Sequence, residues 1–550
     1  MSPAATPATP ATPATPWASI PALCRAAGKR YGPEEAVVDG ERRFSFGELA
    51  RDATTAAKAF ITAGVQPGDR VAIWAPNSYE WVVSLLGLQS AGGILVPLNT
   101  RFKGTEAAYV LNRSRATVLV TVGGFLGVEY PEMLAREQLP HLERTVVLRE
   151  SGAEWSEFLE AGDGLDDGEV DTRIEAIKPG DVSDIIFTSG TTGAPKGVVS
   201  THGQSLAVFA EWSRLVGLRA GDRYLLVNPM FHTFGYKAGI LACLMAGATM
   251  VPLPVLDVTA ALRTICDERI SVVPGPPTLY QSLLDHPALA SSDISSLRLA
   301  VTGAAVIPVD LVRRIVDDLG AETVLTAYGL TEATGFVTAT REGDDLETIA
   351  TTSGRAIDGV EVRIVAAGSN AEGPRDPTPQ APGVPGEVVC RGYNVMQGYF
   401  EDAQQTAAAI DADGWLHTGD IGVLDEGGNL RITDRLKDLF IVGGFNAYPA
   451  EIEQLLLRHP DLAQCAVVGV PDKRLGEVGV AFVVPRPGVL VEPAGVIGWA
   501  KENMANYKVP RQVQIVDALP LNASGKVLKF ELRRRAAEVV PPGVRAQAAP

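Results

Sequence analysis

Cysteine is scarce in this chain. The five present among 550 residues, Cys24, Cys243, Cys266, Cys390 and Cys465, stand far apart and in odd number. That pattern argues against a disulfide framework or a zinc site and suits a reducing cytoplasm. Positive charge is also in deficit. With a net charge of −17, bulk attraction to a nucleic-acid backbone or an anionic membrane is not expected, so any nucleotide must be held by a local cradle. Uninterrupted apolar runs are missing as well. The longest uncharged stretch, between Lys237 and Asp257, is about 19 residues and nominally near membrane-span length. Gly239, Gly247, Pro252 and Pro254 break it. It parses instead as a buried helix up to Met245, a turn at Ala246-Gly247, and a buried strand Thr249-Met250-Val251 ending at Pro252. The first residues lack both the basic and the apolar parts of a secretion signal. Their Ala-Thr-Pro repeat cannot bury enough surface to fold, which makes residues 1–16 a disordered tail.

What is present is a chain with 46% hydrophobic residues, ample for a large core and too long for one ordinary domain. Strand-like runs alternate with helix-like stretches. Val71-Ala72-Ile73-Trp74 precedes an apolar helix from about Ser78 to Ala91. Gly92-Gly93 breaks the chain, and Ile94 to Leu98 reads as the next strand. Val118 to Val122 and Leu297 to Val301 repeat the theme. This alternation predicts an α/β fold with layered, largely parallel sheets. A Pro/Gly-rich loop, Asn370 to Gly386, leads into Glu387-Val388-Val389-Cys390 and Leu430-Arg431-Ile432-Thr433, a β-rich subdomain. Beyond Asp438 the pattern restarts. Pro449 and the acidic residues after it suit a helix start, and Val467 to Val470 and Val480 to Val484 read as strands. The expected division is a large domain over 17–434, a hinge at 435–437 and a small α+β domain over 438–550.

Chemistry concentrates in Thr188-Ser189-Gly190-Thr191-Thr192-Gly193-Ala194-Pro195-Lys196-Gly197, directly after the apolar Ile185-Ile186-Phe187. Glycines let backbone N–H groups approach an anion; hydroxyls and an ammonium complete a phosphate cradle. The string lacks the Gly-Lys-Ser/Thr ending of a P-loop. It resembles the signature of the adenylate-forming enzymes, which include acyl-CoA synthetases, peptide-synthetase adenylation domains and firefly luciferase. Further motifs follow in that family's order: Tyr328-Gly329-Leu330-Thr331-Glu332, Gly414-Trp415-Leu416-His417-Thr418-Gly419-Asp420, Asp434-Arg435-Leu436-Lys437-Asp438 with Gly443-Gly444-Phe445-Asn446, and Ser524-Gly525-Lys526.

The resemblance implies two half-reactions. A carboxylate attacks the α-phosphorus of ATP, giving an acyl-adenylate and pyrophosphate; coenzyme A then displaces AMP. It implies roles residue by residue. Thr188, Ser189, Gly190, Thr191, Thr192, Gly193 and Lys196 form the phosphate cradle. Glu332, with Thr188, holds Mg²⁺, and Thr331 donates to phosphate. Tyr328, beside Gly329, lies against adenine, with Gly303, Ala304 and Ala305 as the opposite wall. Asp420 accepts from the ribose hydroxyls, Arg435 approaches the same sugar, and Ile432 belongs to the nucleotide-binding set. Lys526 is the adenylation lysine, bridging the carboxylate and the α-phosphate. The small domain turns about Lys437, withdrawing Lys526 and bringing Gly443 and Gly444 beside the pantetheine arm. Lys529 and the arginines after it read as a solvated face. His232, in Met230-Phe231-His232-Thr233-Phe234-Gly235, gates or positions the substrate carboxylate.

The segments Phe231 to Leu256 and Pro274 to Tyr280 are mostly apolar, so a hydrophobic acid is expected. His232 to Gly239 and Gly444 to Glu453 resemble actinobacterial ligases that activate a steroid remnant, an indanedione propanoate carrying rings C and D. Under that reading Lys237 meets a ring ketone. Medium-chain fatty acids and aryl acids are the alternatives in the same class. A carrier-loading adenylation domain and a non-catalytic nucleotide-binding regulator are those from other classes. A homo-oligomer is left open.

Overall fold

The computed structural model describes residues 12–149, 154–188, 195–303, 307–366, 378–435, 438, 440–442, 445–472, 474–504, 506–521 and 527–539. They form two compact units. The larger runs over described residues of 1–303, 307–362 and 390–417; the smaller over those of 363–389 and 418–550.

The larger unit contains two sheets. One has nine strands, in the order Arg355–Ala356, Thr338–Ala339, Thr323–Tyr328, Leu299–Gly303, Val272–Pro274, Arg223–Leu226, Thr249–Pro252, Glu35–Asp39 and Arg42–Ser45. Its six middle strands are parallel and its edges antiparallel. The other has seven: Gly398–Tyr399, Lys196–Thr201, Val182–Thr188, Ile94–Pro97, Arg70–Trp74, Val118–Val122 and Arg144–Leu148. Parallel pairing dominates, as expected for strands alternating with helices. The helix Tyr79–Ser90 starts where Ser78 Oγ accepts from Trp81 N, and all twelve of its residues are buried. Apolar side chains on every face suit such a core helix.

The predicted helix before Met245 is present, with a difference in winding. Phe234–Leu241 forms a π-helix, continued by the α-helix Ala242–Ala246. Gly247 ends it at φ 75°, and the strand Thr249–Pro252 follows. A π-turn widens the helix and is common where function constrains the backbone. Gly235 is obligatory here, because a Cβ would lie 2.1 Å from the carbonyl oxygen of Pro229. The predicted strand at Leu297 begins two residues later, at Leu299.

The smaller unit takes most of a four-stranded sheet, in which Leu416–Leu424 and Leu430–Arg435 run antiparallel. Its other sheet is built on the long hairpin Leu462–Asp472 and Gly476–Pro485. Strand alternation sends neighbours to opposite faces. Val467, Ala481 and Val483 pack with Ile452, Leu456 and Val496 on one side; Val468, Val480 and Phe482 pack with Leu532 and Ala536 on the other. Lys529 and Arg533 are not simply solvated, as the sequence suggested. Lys529 pairs with Glu453 at 2.8 Å and Arg533 with Asp438 at 2.5 Å, fastening the last helix to this unit.

Candidate active site

The strands Val182–Thr188 and Lys196–Thr201 form an antiparallel pair in which Thr188 stands directly opposite Lys196. The cradle is thereby closed at its base by two of the residues predicted to work in it. Ser189, Gly190, Thr191, Thr192 and Gly193 lie outside the described residues, as do Ala304, Ala305, Lys437, Gly443, Gly444 and Lys526. Of Arg435 only the backbone is described.

Glu332 sits in the short 3₁₀ turn Thr331–Ala333, which follows the strand carrying Tyr328. Its Oε1 accepts from Thr188 Oγ1 at 3.4 Å and from the Tyr399 hydroxyl at 3.1 Å. Its own carbonyl accepts from Met396 N at 2.9 Å, which ties the turn to the segment holding Tyr399. Thr331 is buried and accepts from Thr233 Oγ1 at 3.4 Å. Lys196 Nζ donates to Gln405 Oε1 at 2.5 Å and lies 5.1 Å from the centre of the Tyr399 ring. Thr188, Lys196, Thr331 and Glu332 therefore come together, as the motifs suggested. Glu332 supplies an anion, Lys196 a cation and the threonines hydroxyls, on well-supported backbone.

Gly329 leads into this turn. A Cβ there would fall 2.1 Å from the Gly335 carbonyl oxygen, so the chain reverses with backbone against backbone. Tyr328 is half-buried at the end of its strand, and Gly303 ends the adjacent parallel strand, opposite Ala327. His232 is exposed, its Nδ1 accepting from Phe234 N at 3.4 Å, just before the π-helix. A lone histidine among apolar residues does not become a core residue here. In the smaller unit, Asp420 is 3% exposed and stands opposite Arg435 across the antiparallel pair, with Ile432 opposite Gly422. The turn into Asp420 is held by Thr418 Oγ1, which donates to the Val388 carbonyl oxygen at 2.7 Å.

Lys237 requires a correction. Its side chain is fully buried and ion-paired with the equally buried Asp184 at 3.0 Å. Burial pulls its pKa down from the usual lysine value while the Asp184 charge opposes that shift. An ammonium held this way in the core does not meet a substrate ketone.

Tyr399 and Gln405 were not singled out from the sequence. Neither carries a charge, and Tyr399 reaches Glu332 across 67 residues, so no local pattern exposes them. Burial first, and then the Glu332 charge, hold the Tyr399 hydroxyl well above its usual pKa. It stays a neutral donor. Tyr399→Phe keeps the ring and deletes that donor. A hydrogen bond to a charged group contributes about 1.5–3 kcal/mol, so kcat/KM for ATP should fall about ten-fold with little change in melting temperature. Steady-state kinetics across ATP concentrations check this; an unchanged kcat/KM would leave the hydroxyl without a role.

Residues 24–400 match the family model described as AMP-binding enzyme, and residues 451–526 match that of the AMP-binding enzyme C-terminal domain. The chain belongs to the AMP-binding enzyme family. Two relatives carry the name 3-[(3aS,4S,7aS)-7a-methyl-1,5-dioxo-octahydro-1H-inden-4-yl]propanoyl:CoA ligase. The one from Mycobacterium tuberculosis is 52% identical over 94% of this chain and 98% of its own length. The one from Rhodococcus jostii is 48% identical over 94% and 98%. Among solved structures, ATP-bound MatB from Rhodopseudomonas palustris superposes with a TM-score of 0.83 at 28% identity, covering 94% of this chain and 99% of that one. This AMP-binding enzyme is an acyl-CoA ligase, dependent on ATP and using coenzyme A. No helix among the described residues is long and apolar enough to cross a membrane.

Proposed function

We propose that this AMP-binding enzyme joins a bicyclic steroid-derived propanoate, the indanedione propanoate of rings C and D, to coenzyme A in the cytoplasm, during sterol ring breakdown. The observation that carries the substrate reading is the 52% identity, over nearly the full length of both chains, to a ligase named for that acid.

Carboxylate and triphosphate are both anions, so the first half-reaction needs positive charge and aligned donors where charge builds up. Lys196 would supply the charge beside the phosphates. Thr188 and Thr331 would donate to phosphate oxygens, and Tyr328 would lie against the adenine face. Asp420 would take the ribose hydroxyls, with Arg435 opposite it. Lys526 would bridge the acid and the α-phosphate. His232, exposed before the π-helix, would orient the carboxylate.

The described residues contain no cluster of three or more His, Cys, Asp or Glu fit for a metal. One carboxylate with a neighbouring hydroxyl, Glu332 with Thr188, nevertheless suits Mg²⁺, which prefers oxygen donors and commonly shares its shell with substrate phosphates. When bound, it would neutralise phosphate charge. Glu332 would hold it and Tyr399 would hold Glu332.

The test is pyrophosphate and AMP release with Mg-ATP and coenzyme A across a panel of acids: the C/D-ring propanoate, octanoate, palmitate, benzoate and 4-coumarate. The expected result is a kcat/KM for the bicyclic acid at least about ten-fold above the others, the order expected when a shaped pocket loses apolar contacts. Its CoA thioester should be seen by mass. Preference for octanoate or an aryl acid would keep the reaction and discard the steroid substrate.

A further inference from the structure

Asp184 lies in the middle of the seven-stranded sheet, with Leu95 opposite it on one side and Ser200 on the other. Lys237 lies in the π-helix. Both side chains are 0% exposed. Asp184 Oδ2 accepts from Ser183 Oγ at 2.6 Å, whereas Oδ1 faces Lys237 Nζ in ionic contact without an aligned hydrogen bond. Around the pair, Gln89 Nε2 donates to the Ser183 carbonyl oxygen at 3.0 Å and to the Tyr236 hydroxyl at 3.2 Å. Strand and π-helix are thus bound to one another by charge and by a shared amide.

Such a pair is costly to bury, and apolar residues of similar volume often stabilise as well or better. Stability alone therefore gives weak reason for it. Geometry gives a better one. Asp184 precedes Thr188 by one short stretch of strand, and Lys237 follows Thr233 by about one helical turn. Thr188 meets Glu332, and Thr233 meets Thr331, the adjacent residue of the 3₁₀ turn. Two elements locked at their base thus converge on one dipeptide. A Cβ at Gly335 would lie 2.4 Å from Thr233 Cγ2, so the chain beyond the turn is also packed against that threonine.

We propose that Asp184 and Lys237 are a positioning pair that sets the separation of Thr188 and Thr233, and through them the placement of Thr331 and Glu332. Neither touches substrate. The ions orient the π-helix against the strand, a direction an apolar contact would leave less defined. This rests on the reading of Thr188, Thr331 and Glu332 as the phosphate and metal groups.

The test uses the full-length protein with the neutral pair Asp184→Asn and Lys237→Met, beside each single change. Melting temperature reads folding. Pyrophosphate release over ATP and acid concentrations reads the first half-reaction; thioester formation from supplied acyl-adenylate reads the second. The single changes should melt below the neutral pair, since each strands one buried ion. The neutral pair should melt near wild type, yet release pyrophosphate with kcat about 10- to 100-fold lower, as expected for misplaced reacting groups, while both KM values and thioester formation stay within about two-fold. A folded neutral pair with wild-type pyrophosphate release overturns the proposal. If the neutral pair does not fold, Lys237→Arg decides: it keeps the charge and changes the reach, so slower adenylation by the folded variant supports the positioning role and an unchanged rate overturns it. Pyrophosphate release by the wild-type protein reports separately on the adenylation reading itself.

Discussion

Lys526→Ala should lower pyrophosphate release by about 100- to 1,000-fold, the loss typical when one group aimed at developing charge is removed. Thioester formation from supplied acyl-adenylate should stay near wild type. The argument starts from charge. The attacking carboxylate and the α-phosphate repel one another, and the charge between them rises as the bond forms. A cation that meets both is needed in the first half-reaction only. Once the adenylate exists, coenzyme A displaces AMP with no second carboxylate to neutralise. Lys526 therefore acts on one step under the proposed reading, and its loss should separate them. The measurement is a pair of single-turnover experiments, one started with ATP and acid, the other with synthetic acyl-adenylate and coenzyme A. Equal losses in both would remove Lys526 from its assigned role.

Glu332→Gln should have the second-largest effect: about a 100-fold fall in kcat/KM for ATP, the scale of a lost electrostatic contact in a preorganised site, with a markedly higher Mg²⁺ concentration for half-maximal rate. Glutamine can put its carbonyl oxygen where Oε1 now stands, still accepting from Thr188 and Tyr399. The turn should keep its shape and the protein its melting temperature. Only the negative charge is gone, and a neutral amide oxygen is a poorer ligand for a hard cation. A titration of rate against Mg²⁺ at fixed ATP reads this directly. If the midpoint does not move, Glu332 does not hold the metal.

Much of this could be read from residue order, for definable reasons. The strands at Arg70–Trp74 and Val118–Val122 and the helix Tyr79–Ser90 coincide closely with their apolar runs, because Ser78 and Gly92-Gly93 punctuate them. Thr188, Lys196 and Glu332 could be found because their neighbours are glycines and hydroxyls in a rare combination. Tyr399 and Gln405 could not: a two-residue strand, Gly398–Tyr399, brings Tyr399 beside Lys196–Thr201, and Gln405 reaches Lys196 from the helix Ala403–Ala409, 209 residues along the chain. Lys237 shows the opposite failure. A lysine in an apolar stretch invites a ligand, but its partner Asp184 lies 53 residues earlier (237 − 184), in a strand whose buried acid has no local sign. The π-turn was equally hidden, because its residues carry the same apolar pattern as an ordinary helix.

The helix Tyr79–Ser90 has a consequence during synthesis. No side of it faces water, and Gln89 finds its two acceptors only in Ser183 and Tyr236, 94 and 147 residues further along. At about 5–20 residues per second, the ribosome takes roughly 7–30 s to deliver the second of them. For that interval the helix has its earlier neighbours, Ile20–Tyr31 and Phe46–Thr62, to pack against, while the side of Trp81 that meets Tyr236 and the Gln89 amide wait for their partners.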